Sequence, residues 1–85
     1  MQSPRGVTMK LRVNLMSLFA NYSKEDSEGF THLDHGRTIK ALAEYLGLPL
    51  ERVKIVTVNG QQGDLKTRLR DNDLVYIFPP AIGGG

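Results

Sequence analysis

The sequence predicts an α+β domain in which one helix packs across a mixed sheet of four to five strands. Three observations carry the expectation. Apolar and polar residues alternate from Lys10, one apolar stripe at helical spacing runs from Ile39 to Leu46, and the closing run Leu74-Val75-Tyr76-Ile77-Phe78 is apolar on both faces. Eighty-five residues make one domain, near the lower limit at which a single core holds without staples. The absence of cysteine removes disulfides, thiolate-held metals and thiol nucleophiles. Eleven basic residues stand against nine acidic ones, a balance that argues against a nucleic-acid partner. No apolar run approaches the roughly 20 residues of a membrane span. No apolar signal core follows Met1 either, so a cytoplasmic protein without a membrane partner is expected.

Residues 1–8 hold Pro4 and Gly6 without periodicity and read as a flexible leader to a domain over 9–78. Lys10, Arg12 and Asn14 alternate with Leu11, Val13 and Leu15, the period of a half-buried strand. Met16, Leu18 and Phe19 fall out of phase and end it, and the polar stretch from Ala20 to Gly29 reads as a loop. A shorter strand is expected from Phe30 to Asp34, antiparallel to the first. Thr38 is a good N-cap for a helix whose Ile39, Leu42, Ala43 and Leu46 form its apolar stripe. Gly47 suits a left-handed C-terminal cap, and Pro49 prevents resumption. Val53 to Val58 reads as a buried strand, and Asn59-Gly60 as a two-residue hairpin turn into a short strand. Leu65 to Leu69 suggests a single helical turn, with Leu65 and Leu69 on one side. Asp71-Asn72-Asp73 is a polar turn. In the last strand Val75 and Ile77 share one face, while Leu74, Tyr76 and Phe78 share the other. That suits a central strand, or one whose outer face meets a partner. Strand, strand, helix, strand, short strand, strand is the β-grasp order.

From about Met9 onward the chain resembles the MoaD/ThiS family of ubiquitin-like sulfur carriers. The resemblance rests on "TIKALAEYLGLP", "VNGQ" and "LKTRLRDNDLVYIFPP" followed by a glycine tail. Its most specific part is the spacing: an Asp-x-Asp turn, a five-residue apolar strand, Pro79-Pro80, two residues, then glycines. The proline pair leans towards the molybdopterin-synthase small-subunit branch. Aligned on it, the family's final glycine falls at Gly84, so Gly85 is additional.

The resemblance implies a carrier rather than an enzyme, with no bound cofactor. Its terminal glycine, Gly84 or Gly85, is joined to AMP by a ubiquitin-activating-type enzyme that uses ATP. The sulfur of a persulfide donor then displaces AMP, and the thiocarboxylate delivers sulfur to an acceptor synthase of the molybdopterin-synthase large-subunit type. The tail over 79–85 suits such a role. Gly83, Gly84 and Gly85 lack Cβ and can enter a narrow channel. Pro79 and Pro80 favour an extended exit and cannot donate ladder hydrogen bonds. Ala81 and Ile82 offer a small apolar area to the partner, and Leu74, Tyr76 and Phe78 form an adjacent docking patch. The alternatives are a modifier linked to lysines through its terminal glycine, a thiazole (thiamine) sulfur carrier, and an interaction module whose tail is inert. His32 and His35 read as surface residues rather than metal ligands, and Asp71 and Asp73 as turn caps rather than a catalytic pair. Arg68 and Arg70, near Lys66, read as a solvated charge run, with pairing to an acidic partner face as the alternative.

Overall fold

A computed structural model describes residues 8–80. The flexibility expected of residues 1–7 and of the tail beyond Pro80 lies outside the described residues. Strand β1 (Met9–Leu15) buries Met9, Leu11 and Val13 and exposes Lys10, Arg12 and Asn14, as the alternation requires. Strand β2 (Thr31–Leu33) pairs antiparallel with it, Lys10 opposite His32. The connection contains more structure than its polarity suggests: Ser17–Tyr22 forms a 3-10 helix. The residues that broke the alternation explain it, because Phe19 turns into the core and packs edge-on to Tyr22 at 6.2 Å.

Helix α1 (Ile39–Leu46) has the expected caps and face. The Thr38 hydroxyl accepts from the Ala41 N–H at 3.2 Å, and Ile39, Leu42, Ala43 and Leu46 are buried. Gly47 closes the helix at φ 81°, and the Leu48 N–H returns to the Ala43 carbonyl. Lys24 donates to the Tyr45 carbonyl at 3.1 Å, a cation on the negative end of the helix. Before the helix, Gly36 sits at φ +82°, and a Cβ there would come within 2.5 Å of the Ala41 Cβ. Gly47 is equally left-handed but has nothing within 4 Å of an added Cβ. Gly36→Ala is therefore expected to cost more than the roughly 1–2 kcal/mol of left-handed strain that Gly47→Ala incurs. Paired denaturant midpoints test this, and equal losses would assign both to torsion alone.

A short 3-10 turn (Leu50–Arg52) leads to strand β3 (Ile55–Val58), which starts later than Val53 because the Val53 N–H still bonds back to Leu50. Asn59 (φ 53°) and Gly60 (φ 86°) turn the chain into β4 (Gln61–Gly63), the primed geometry that Asn-Gly favours. Leu65 to Leu69 is not a helical turn. The Asp64 carboxylate accepts the Lys66 N–H, the Thr67 hydroxyl accepts the Asp64 N–H, and these bonds fold a tight turn. The chain then runs extended beside the start of α1, with Arg68 bridged to Thr38. Leu65 and Leu69 still point to the core, since i and i+4 share a face in an extended chain too.

Strand β5 (Leu74–Phe78) closes the sheet in the order β2-β1-β5-β3-β4. It pairs parallel with β1 and antiparallel with β3. One face of this mixed sheet packs on α1 around Leu11, Val56, Val75, Ile77, Ile39 and Leu42, all fully buried. The arrangement is the β-grasp fold.

Candidate functional site

The face of the sheet turned away from α1 is set by β5. Val75 and Ile77 are inaccessible, whereas Leu74, Tyr76 and Phe78 stand half-buried on the opposite side. The strand is thus central, and its second apolar face is the outer surface rather than core. Pairing aligns Ile55 with Phe78, and Thr57 with Tyr76 and Asn14. Met16 continues the row beside Phe78, extended and bonded through its N–H to the Ile77 carbonyl. The Tyr76 and Phe78 rings stack at 6.4 Å. Ile55, expected inside a buried strand, is 43% exposed and belongs to this surface. Its run of β-branched neighbours carried no sign of which residue faces out; only the pairing with Phe78 decides it.

Charge borders the apolar row on the β1 side. Lys10 and Arg12 sit over the Phe30 ring at 4.7 and 4.9 Å. Between Arg12, Tyr76 and the loop carrying Glu25 and Glu28 lies a shallow hollow of about 310 Å³. Asp26 organises that loop: its Oδ1 accepts the Glu28 and Phe30 N–H groups, and its Oδ2 lies 2.6 Å from His32 Nε2. His35 lies beside Asp34. Neither histidine joins a metal-holding group of three or more His, Asp or Glu among the described residues. Bonding to His32, then to Phe30, lowers the Asp26 carboxyl from 3.8 to about 2. The contribution of a lowered carboxyl is present above pH 3.8 and is lost as pH falls through about 2. The Glu28 and Phe30 amide resonances are therefore expected to titrate near pH 2, and Asp26→Asn to abolish that step. A midpoint near 3.8 would show the loop bonds to be absent in solution.

Asp73 caps its turn as expected, whereas Asp71 caps no backbone N–H of the turn and instead ties it to β1. Asp71 accepts the Lys10 N–H at 2.7 Å, and Asp73 accepts the Arg70 N–H and the Asn59 amide, each at 2.8 Å. Asn59 in turn accepts the Leu74 N–H, so the hairpin is fastened to the start of β5. At the far end of β5, Pro79 and Pro80 stand half-buried and end the ladder after Phe78. Ala81, Ile82, Gly83, Gly84 and Gly85 lie outside the described residues.

Residues 5–82 match the model of the family described as Mut7-C ubiquitin. The chain belongs to the Mut7-C ubiquitin family. This finding and the sheet order agree on a ubiquitin-like fold, broader than the molybdopterin-synthase branch that Pro79-Pro80 suggested. The solution structure of the Haloferax volcanii HVO 2177 protein superimposes with a TM-score of 0.69, covering 99% of this chain and 93% of that one. At 23% identity, that likeness speaks for the fold alone. None of the curated proteins matches the Mut7-C ubiquitin chain. No helix among its described residues is long and apolar enough to cross a membrane.

Proposed function

We propose that this ubiquitin-like domain is a sulfur carrier that works through its terminal glycine, Gly84 or Gly85. The observation that supports the reading is the exit of β5. A central strand bonded on both sides ends at Phe78, and two prolines follow, so the glycine segment departs from a firmly held point. The row Met16–Phe78–Ile55 at that exit gives the activating and acceptor enzymes an apolar surface to seat on while the tail is engaged.

In the reaction the terminal carboxylate attacks the α-phosphate of ATP, and pyrophosphate leaves. The terminal sulfur of a persulfide donor attacks the acyl-adenylate carbonyl and expels AMP. A thiol then cuts the resulting acyl disulfide, leaving the thiocarboxylate on the carrier and a disulfide on the donor side. The carrier supplies no base, metal or nucleophile beyond its own terminus. Molybdopterin is the acceptor that the proline pair favours.

Intact-protein mass spectrometry after incubation with an adenylating enzyme, ATP and a persulfide donor tests the reading. Oxygen-to-sulfur exchange on the terminal glycine is expected. Isopeptide links to lysines would instead make the chain a protein modifier. An unchanged mass beside a competent enzyme would leave a docking module.

A further inference from the structure

The extended segment after β4 places positive charge where the tail chemistry makes no use of it. Lys66, Arg68 and Arg70 are exposed and alternate with Leu65, Thr67 and Leu69, which turn inward. Arg68 and Arg70 lie on one side of the segment, about 7 Å apart along it. Together with Gln61 and Gln62 of the hairpin they line an open cleft of about 520 Å³. The one carboxylate in its wall, Asp73, already accepts from Asn59 and from the Arg70 backbone. Among the described residues, the close charge pairs both involve histidine, so neither guanidinium has a carboxylate within 4.0 Å.

We propose that this cleft docks an extended acidic peptide segment of a partner protein, at the end of the sheet opposite the tail. In an extended peptide, side chains two positions apart recur at the same spacing of about 7 Å, so alternate carboxylates align with the two arginines. Each planar guanidinium grips a carboxylate through two parallel bonds, which a lysine cannot do. Asn59 is committed at both ends of its side chain, leaving the Gln61 and Gln62 amides to bond the peptide backbone. A nucleic-acid backbone is a poorer occupant, because it calls for a stripe of phosphate contacts and the cleft supplies two cations. The cleft adjoins Asp73 while the tail leaves after Phe78, about 15 Å away along β5. A partner seated here leaves the terminus free, so the site stands apart from the sulfur-carrier reading.

The test is an amide-resonance titration of the full chain with a hexapeptide of alternating glutamate and valine. Shifts confined to the Gln61, Gln62, Arg68 and Arg70 neighbourhood and weakened by salt are expected. Arg68→Gln with Arg70→Gln is expected to lower affinity by about tenfold or more, with the remaining spectrum unchanged. Both side chains are exposed, and Arg52→Gln with Lys54→Gln, at two other exposed positions, serves as a control of equal charge change. Equal losses in the control, shifts spread over Lys10 and Arg12, or tighter binding of a short oligonucleotide at the same residues would each overturn the proposal.

Discussion

Removing Gly83, Gly84 and Gly85 is expected to abolish thiocarboxylate formation while leaving thermal unfolding unchanged. The two readouts separate because, among the described residues, β5 makes its last pairing at Phe78, opposite Ile55, upstream of the three glycines. A milder change separates presence of the tail from its shape. Gly84→Val keeps the length but puts a branched side chain where a close-fitting channel must pass bare backbone. Displacing a reacting group by about 1 Å costs on the order of 10²-fold, and a drop of that size in kcat/KM for adenylation is expected. If Gly84→Val reacts at the parent rate, the terminus is not threaded through a narrow channel. If the three-residue deletion does as well, the tail is not the working part.

Leu42→Ala is expected to cost about 2–5 kcal/mol, the range for emptying a leucine site that cannot collapse. Leu42 is fully inaccessible, and its neighbours on the stripe, Ile39 and Ala43, are equally so. The helix is eight residues long, too short to hold without the sheet. Against a total stability of about 5–15 kcal/mol, such a loss takes much of the margin. At typical slopes it lowers the urea midpoint by about 1–3 M. Lys40→Ala, on the exposed side of the same helix, is expected to stay within about 0.5 kcal/mol. Similar losses at both positions would mean that the stripe is not what anchors α1.

The features legible in the sequence are those whose cause is local. Thr38, the stripe and Gly47 define α1 within a dozen residues, and Asn59-Gly60 defines its hairpin without help from the rest of the chain. The β-grasp order followed from those pieces. Other features are ambiguous in the sequence because one pattern serves two structures. Leu65 and Leu69 share a face in a helix and in an extended chain alike, and the Asp64–Thr67 bonds choose between them. Phe19 looked like the end of a strand because nothing local shows that it reaches the core. Exposure of Ile55 and the joint cleft of Gln61, Gln62, Arg68 and Arg70 depend on distant pairings that the residue types do not encode. The outer face of β5 was readable as apolar, but its extension to Met16 and Ile55 was not.

The placement of β5 also governs when the molecule can form. Without it, β1 and β2 make one hairpin, β3 and β4 make another, and no hydrogen-bonded ladder joins them. The strand that unites them lies far along the chain from its parallel partner, with Arg12 opposite Leu74. Such pairing between segments distant in sequence is slow to nucleate, because a long loop must close before any contact rewards it. Until β5 docks, β1 and β3 each present an unpaired strand edge. The sheet closes only when β5 is in place, and that same closure fixes the point from which the glycines depart.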